Sequence, residues 1–343
     1  MDGPRGTAAV TGGILLLCLV LLAVFTAGEL GFGVSSGEPL TVTVRRGESL
    51  SALSRRMHEE GLLAHPRFFQ TLAILRGDAQ RIKAGQYTVG GNLSAGELIR
   101  ELVSGSSRMF SFTIPEGYSL PDIAAKLERD GVGNAATFLR LAKDPEFIAR
   151  LDLPLAPDQA SLEGLIFPET YSFAAGTQEA GLIRVMVAEF NRRAAPALQA
   201  KAASVGLSAY AALTLASIIE KETGAAFERE LISAVFHNRL KANMRLSSDP
   251  TVIYGIESFN GNLTRRHLET PTPYNTYRMR GLPPTPIANP GLDSVLAALG
   301  PADVEYLYFV SKGDGTHHFS KTYRAHSRAV WQYQKRPHRR RKS

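Results

Sequence analysis

The residues best suited to chemistry lie at the end of an unusually apolar helix pattern. Ser208 is a plausible N-cap, and the eleven residues that follow are almost all small or apolar. Glu220 ends this run and shares one helical face with Leu213 and Ser217. A carboxyl at the mouth of a buried helix is partly desolvated, which suits it to proton donation near neutral pH. The competing interpretation is a solvated glutamate in the last turn, beside charged neighbours.

Two downstream segments are dense in Pro, Tyr and Asn and predict the walls of a groove. They run over 269–277 and 281–291 and follow a predicted amphipathic helix at 228–240 and the run 249–255. This composition disfavours sheet and helix, but rings and amides suit sugars, because rings cover pyranose CH groups and amides bind hydroxyls. The alternative is a rigid, inert Pro-rich loop.

Metal, thiol and cofactor chemistry are not predicted. The one cysteine, Cys18, lies in an apolar stretch, which excludes an intramolecular disulfide, a Cys/Cys metal site and thiol redox chemistry. A predicted hairpin pairs a strand at 306–310 with a return at 317–320, and His317 and His318 are adjacent in the return. Neighbouring strand residues point to opposite faces, so this pair does not readily bind one ion.

Composition and charge indicate a folded protein rather than a nucleic-acid binder. The chain has 343 residues, of which 44% are hydrophobic and 21% charged, so two or three domains are expected. Six residues of the C-terminal tail account for most of the net charge of +7, and the body is nearly neutral. Since binding to nucleic acid requires a basic face, the tail is predicted to be a solvated end, with weak contact to acidic polymers or lipid headgroups as the alternative.

The N-terminus predicts a single-pass membrane anchor. Residues 8–27 carry no charge, and twenty helical residues span about 30 Å, the thickness of the hydrocarbon layer. A cleaved signal peptide is the alternative, but Phe25-Thr26-Ala27 does not form a small-x-small cleavage site. Flanking charges do not fix the orientation of the span. About 300 residues follow it, so a large domain is expected on one side of the membrane.

A gapless repeat with an offset of 70 residues follows the predicted anchor. Residues 42–50 align with 112–120, and each copy predicts a strand, a Gly turn and a helix capped by Ser49 or Ser119. A second helix near 68–75 and a strand near 86–89 complete the first copy. This order resembles the LysM fold, a module that binds N-acetylglucosamine polymers. A spacer that keeps the fold without the sugar site is equally consistent with the pattern.

Several long motifs in the same order resemble the endolytic murein transglycosylase family, also called YceG-like, from about residue 40 to 333. The motifs are Leu162–Tyr171 (LEGLIFPETY), Leu215–Glu222 (LASIIEKE), Asp249–Gly255 (DPTVIYG), Tyr274–Pro283 (YNTYRMRGLP) and the strands Tyr306–Val310 and His318–Ser320. The basic tail lies outside this resemblance.

The resemblance implies cleavage of peptidoglycan strands between N-acetylmuramic acid and N-acetylglucosamine, leaving a 1,6-anhydro end. Glu220 matches the catalytic acid/base of the family. The large domain then lies outside the cytoplasm, with the N-terminus cytoplasmic. Glycan strands are the implied substrate, termination of nascent strands the implied role, and peptidoglycan synthases the candidate protein partners, with no cofactor.

Further site assignments are hypotheses within this resemblance. Tyr254, Asn275 and Tyr277 are predicted to contact sugar, and Asp249 to orient loops or stabilise positive charge near C1. Glu163 and Glu222 are alternative acids. Glu163 is alternatively expected to hold the loop of Tyr171, and both residues are included among the substrate-binding candidates. Asn238 and Arg239 are expected to support the structure.

Two functions other than an endolytic transglycosylase remain open, and the same fold is predicted for all three. One is a hydrolytic muramidase with Asp249 as second carboxylate, and the other is a non-catalytic LysM-type scaffold of the wall-synthesis machinery.

The predicted fold class is α+β, with a transmembrane helix, LysM-like βααβ modules and a mixed α+β catalytic domain. The predicted parts are a short cytoplasmic end (1–7), anchor and linker (8–34), LysM-like region (40–150), catalytic domain (155–333) and basic tail (335–343).

Overall fold

The computed structural model describes residues 40–89, 93–104, 109–155, 160–174 and 177–335, which form two compact units. The first contains the described residues up to Ser111 together with those at 172–178; the second contains 112–171 and those from Glu179 onward. The predicted anchor and most of the basic tail lie outside the described residues. Within these ranges no single helix is long and apolar enough to cross a membrane, and one helix pair, bent by 98°, passes by length and composition only.

The first unit is built from the first copy of the repeat. Its elements are β1 Leu40–Val44, α1 Leu50–Glu59, α2 Pro66–Leu75, β2 Gly85–Val89 and α3 Ala95–Ser104. The two strands are antiparallel, with Leu40 opposite Val89 and Val44 opposite Gly85. Apolar residues of all three helices and both strands form one core, which includes the fully buried Met57 and Phe69. The predicted order of strand, helix, helix and strand is observed.

The second copy has the same opening elements. It comprises β3 Met109–Thr113, α4 Leu120–Arg129, α5 Ala135–Leu141, α6 Pro145–Ile148 and β4 Thr170–Ala174, and its two strands pair. Helices α1 and α4 are offset by 70 residues at both ends. Gly47 and Gly117 occupy equivalent turns with φ of 79° and 74°, a conformation that favours glycine. The boundary between the two units falls within β3 and β4. The LysM identity of these copies stays a prediction.

The rest of the second unit is a helical core. Its helices are α7 Glu179–Arg193, α8 Ala195–Lys201, α9 Ala209–Glu222, α10 Arg229–Lys241, α11 Asp249–Tyr254, α12 Arg265–Glu269 and α13 Leu292–Leu299. Helix α9 begins at the predicted cap, where Ser208 Oγ accepts from the Ala211 N–H at 3.1 Å. Every residue from Ala212 to Ile219 is buried, because α8, α10 and α13 surround the helix. The mixed α+β class is confirmed.

The chain described here ends in a hairpin and a helix. Strands β5 Tyr308–Ser311 and β6 His317–Ser320 are antiparallel, and α14 Tyr323–Val330 follows, continued by a π-helical turn at Trp331–Lys335. The return strand matches its predicted bounds, whereas the first strand starts two residues later than predicted. Helix α14 packs against both strands, so its inner face is fixed relative to the hairpin.

Candidate active site

The end of α9 carries two carboxyls with separate surroundings. Glu220 and Glu222 are two residues apart, so their side chains leave the helix about 200° from each other. Both residues are partly exposed, whereas the helix before them is buried. Each carboxyl therefore has to be considered with its own neighbours.

Glu222 opens into a cleft of about 510 Å³. The Ser248 hydroxyl donates to its Oε1 at 2.6 Å. Burial raises the pKa of Glu222, and the nearby charge of Asp249 raises it further, against the lowering effects of the Ser248 hydrogen bond, His317 and Arg239. A carboxyl whose pKa is raised and that faces a cleft has the properties of a general acid.

The same cleft contains two residues predicted from the sequence. Asp249, in the first turn of α11, and Tyr277 both line it, and the Tyr277 hydroxyl donates to Asp249 Oδ1 at 2.6 Å. Burial raises the pKa of Tyr277, so its hydroxyl stays protonated as a donor. Tyr308 and Tyr323 add two further rings to the walls. The cleft thus combines carboxyl groups with aromatic surface.

Arg239 fastens one wall of the cleft. Its guanidinium donates to the carbonyl oxygens of Leu307, at 2.7 Å, and Leu246, and it lies over the Tyr308 ring, 5.4 Å from the centroid. The neighbouring Asn238 amide donates to the carbonyls of Val304 and Tyr306 at 2.8 and 3.0 Å. Both side chains hold the backbone just before β5, and Arg239 also holds the loop at Leu246, as expected for supporting residues.

Glu220 belongs to a different cluster. Its Oε2 accepts from the Gly291 N–H at the start of α13 at 3.1 Å. The Glu116 carboxyl also lies against Gly291, since a Cβ added there would be 1.9 Å from Glu116 Oε1. Burial and the charge of Glu220 raise the pKa of Glu116. Lys221 Nζ donates to the Gly117 carbonyl at 3.1 Å, which joins the turn of the second repeat copy to the end of α9.

Sequence reasoning missed Glu116 as a partner of Glu220. The only signal lies in the repeat, where Glu116 stands at the position that Arg46 occupies in the first copy. A charge reversal between otherwise similar turns indicates that the two turns have different neighbours.

Glu163 lies outside the cleft and ties loops together. It is 1% exposed, and its oxygens accept from the Leu120 N–H at 3.1 and 3.2 Å, the Asn289 amide at 3.1 Å and the Tyr254 hydroxyl at 3.0 Å. Burial raises the pKa of Glu163 to about 7, although the hydrogen bonds from Leu120 and Tyr254 lower it. Tyr254, a predicted sugar contact, thus directs its hydroxyl at a buried carboxyl.

Asn289 is the centre of this network. Its amide donates to the Tyr118 carbonyl at 2.9 Å as well as to Glu163, and its Oδ1 accepts from the Ile166 N–H at 2.9 Å. Its backbone N–H donates to Tyr118 and its carbonyl accepts from Gly117, both at 2.9 Å. Asn289 therefore binds the Gly117 turn of the second copy to the loop before α13. The sequence places Asn289 in the predicted groove segment 281–291 and gives it no individual role.

The other two predicted groove residues are buried. Asn275 is 0% exposed, and its amide donates to the carbonyls of His267, Leu268 and Thr270 at 3.1, 3.1 and 2.6 Å. It therefore holds its own loop and presents no surface for the predicted sugar contact. Tyr171 is also buried, and its hydroxyl donates to the Phe167 carbonyl at 2.5 Å.

The adjacent histidines of β6 have separate neighbours. His317 lies 2.8 Å from Glu228 through Nδ1, and its backbone N–H donates to the same carboxyl, whereas the His318 ring faces Tyr333 at 5.7 Å. Across the described residues, no group of three His, Cys, Asp or Glu side chains is placed to hold a metal ion.

The pKa of Glu163 predicts an unusual pH dependence of stability. Its value is about 7 in the folded chain and 4.5 for the free side chain. Between these values the folded state keeps a proton that the unfolded state has lost, so this group destabilises the fold as pH rises. The full contribution is on the order of 3 kcal/mol and is reached above about pH 7.

The measurement is thermal unfolding of wild type and Glu163→Gln at about pH 5 and pH 8. The stability of wild type relative to the variant is expected to fall between the two values. The comparison with the variant cancels the contributions of other groups that titrate in the same pH range. Equal changes in stability between pH 5 and pH 8 in the two proteins would contradict the raised pKa of Glu163.

The mixed α+β fold carries a cleft whose carboxyl groups and aromatic rings are suited to acid–base chemistry. Residues 42–332 match the YceG-like family. That match covers most of the chain, and the chain belongs to the YceG-like family. The family resemblance carried by the sequence motifs is thereby confirmed.

Relatives of known name and structure agree with this membership. A Bacillus subtilis (strain 168) protein named endolytic murein transglycosylase is 31% identical over 307 residues, 86% of this chain and 84% of the relative. A Streptococcus pneumoniae (strain D39) protein of the same name is 29% identical over 91% of this chain and 63% of its own length. A crystal structure of a YceG-like protein from Listeria monocytogenes matches with a TM-score of 0.59 at 31% identity, covering 85% of this chain and 99% of that one.

Proposed function

We propose that the protein is an endolytic murein transglycosylase that cleaves glycan strands of peptidoglycan and leaves 1,6-anhydro ends. The enzyme class rests on the relatives of that name, which match over most of this chain. The reaction rests on one observation, the protonatable carboxyl of Glu222 in a cleft with aromatic walls.

Glu222 performs the first step as general acid. Its raised pKa favours the protonated form, and this proton passes to the glycosidic oxygen as the bond to C1 breaks. The leaving sugar departs as a neutral alcohol, and positive charge develops at C1. Asp249, which lines the same cleft, stabilises this charge.

The Glu222 carboxylate then acts as general base. It removes the proton of the C6 hydroxyl on the same sugar, whose oxygen forms a bond to C1. One C–O bond breaks and one forms, the proton returns to Glu222, and no water is consumed. A single carboxyl is therefore sufficient for both transfers.

The choice of Glu222 differs from the sequence-based prediction of Glu220. Glu220 accepts from the Gly291 N–H beside the Glu116 carboxyl, and the cleft is lined by Glu222 instead. A general acid needs access to substrate as well as a proton. The environment of Glu222 supports both requirements, so we assign it the catalytic role and treat Glu220 as the competing candidate.

A hydrolytic muramidase is the second candidate, because Asp249 and Glu222 line one cleft. In that reaction one carboxyl donates the proton and the other activates water or attacks C1. The bond cleaved is the same, but the new end is a reducing sugar. The product therefore separates the two mechanisms.

The cellular setting is also part of the proposal. The uncharged stretch at 8–27 anchors the chain in the membrane, with the enzyme outside the cytoplasm, where peptidoglycan lies. The two repeat copies are LysM-like modules, and peptidoglycan synthases are the expected protein partners. Termination of nascent strands is the corresponding role.

Mass spectrometry of digested strands tests the reaction. Purified full-length protein in detergent is incubated with peptidoglycan strands, and the fragment ends are identified. Anhydro ends are expected. Reducing ends would replace the transglycosylase by a hydrolase and make Asp249 the second catalytic group. Strands that stay bound and uncut would refute both enzymes and favour the scaffold.

A further inference from the structure

The outer face of α14 carries two large exposed aromatic rings. Tyr323 is 69% and Trp331 is 58% exposed. They lie with Ser327 at four-residue intervals, which aligns them along one side of the helical segment, about 12 Å apart. Together with Arg324 and Arg328 they line a shallow groove of about 730 Å³, here called the Trp331 face.

The Trp331 face is continuous with the cleft of Glu222. Tyr323 lines both. Its ring centroid is 6.0 Å from that of Tyr308, which the Arg239 guanidinium covers inside the cleft. His326 stacks on Tyr308 at 5.2 Å. Aromatic surface thus extends from the cleft to Tyr323, and the groove continues from there along α14 to Trp331.

The charge of this face is entirely positive. Residues 321–335 contain no Asp or Glu, and Arg324 and Arg328 both line the groove. Planar rings with adjacent guanidinium groups suit a polymer that offers sugar rings for stacking and carboxylates for pairing. The carboxylates of the stem peptides in murein strands, and the lactyl carboxylates of sugars without a stem peptide, have this chemistry.

The composition of the face argues against contact with lipid. A membrane-binding helix presents several aliphatic or aromatic residues that enter the acyl region. Between Tyr323 and Trp331 the groove is lined by serine and arginines, and Gln332 extends it. Ala329, the buried apolar residue of α14, lies on the inner side. A polar ligand therefore fits better than a bilayer.

We infer that the Trp331 face binds the glycan strand beyond the cleaved bond, as a distal subsite with Trp331 and Tyr323 as stacking platforms and Arg328 as carboxylate partner. This inference rests on the proposed function. It predicts that affinity rises with strand length, because only long strands reach from the cleft to Trp331.

Trp331 is the one tryptophan of the chain, so its fluorescence reports directly on this face. Full-length Glu222→Gln protein is titrated with long and with short murein strands separated by size. Long strands are expected to shift Trp331 emission saturably, and short ones to leave it unchanged. No shift with long strands that demonstrably bind would overturn the subsite.

Cleavage kinetics give an independent test with Trp331→Ala. The expected result is a KM roughly three- to tenfold higher for long strands, with kcat and the KM for short strands unchanged. Phe227→Ala is the matched control, because Phe227 is 77% exposed and lines neither groove. Equal KM values for wild type and Trp331→Ala would refute the inference.

Two further outcomes are informative. If wild type cleaves no strands, the proposed function fails, and the fluorescence titration of wild type still decides whether Trp331 binds them. Reconstitution into vesicles of anionic lipid with bromine-labelled chains tests the competing partner. Quenching of Trp331 by these lipids would assign the face to the membrane and overturn the subsite.

Discussion

Glu222→Gln is expected to lower the rate of strand cleavage by roughly 10²–10⁴-fold, the range that a general acid contributes. Glutamine keeps the oxygen that accepts from Ser248 Oγ, so the local hydrogen bond survives while the transferable proton is lost. Rates are measured from the release of fragments from purified strands. The binding of strands by the variant is expected to remain close to wild type.

Glu220→Gln is the matched control, since it makes the same chemical change two residues away on α9. Glutamine at 220 still accepts from the Gly291 N–H, and the variant is expected to keep most of its activity. The reverse result, with Glu220→Gln inactive and Glu222→Gln active, would return the catalytic role to Glu220. Thermal unfolding of both variants shows whether either loss reflects folding.

The helix that carries both carboxyls was predictable, but their roles were not. Local signals, a serine cap and an apolar run, predict α9 and its end. Which carboxyl opens into a cleft depends on Ser248, Arg239 and Tyr308, which lie in the loop before α11, in α10 and in β5. Periodicity gives the angle between the two side chains, but it does not say what lies opposite each.

The roles of the predicted groove residues likewise could not be predicted from sequence, because some line the cleft and others hold loops. Sequence chemistry selects Tyr and Asn as sugar contacts, but these types are equally suited to holding loops. Tyr277 lines the cleft, whereas Asn275 has no exposed surface and Tyr254 donates to Glu163. The neighbours of each side chain, which depend on tertiary packing, separate the two roles, and composition alone does not reveal them.

The repeat was visible in sequence because its turns and helices follow local rules. Gly47 and Gly117 share a positive φ, and Ser49 and Ser119 both cap helices. The contact of the second copy with the start of α13 could not be predicted, because Glu116 lies against Gly291 across a long sequence separation. Local similarity therefore predicts the elements and leaves their partners undetermined.

Asn289→Ala is expected to destabilise the second unit by about 2–4 kcal/mol. Its side chain makes three hydrogen bonds and is 0% exposed. Removal leaves the buried N–H of Ile166 without its acceptor, opens a cavity and deprives Glu163 of a donor. Denaturant unfolding of wild type and variant gives the difference in free energy.

Asn262→Ala serves as control, because Asn262 is exposed in a surface loop. The free energy of unfolding of this variant is expected to match that of wild type. The variant at 289 is also expected to lose catalytic rate, since the Asn289 amide binds the Tyr118 carbonyl, next to the Gly117 turn that Lys221 contacts at the end of α9. Loss of stability with an unchanged rate under native conditions would limit Asn289 to a role in folding. An unchanged stability would show that the network around Glu163 does not depend on this amide.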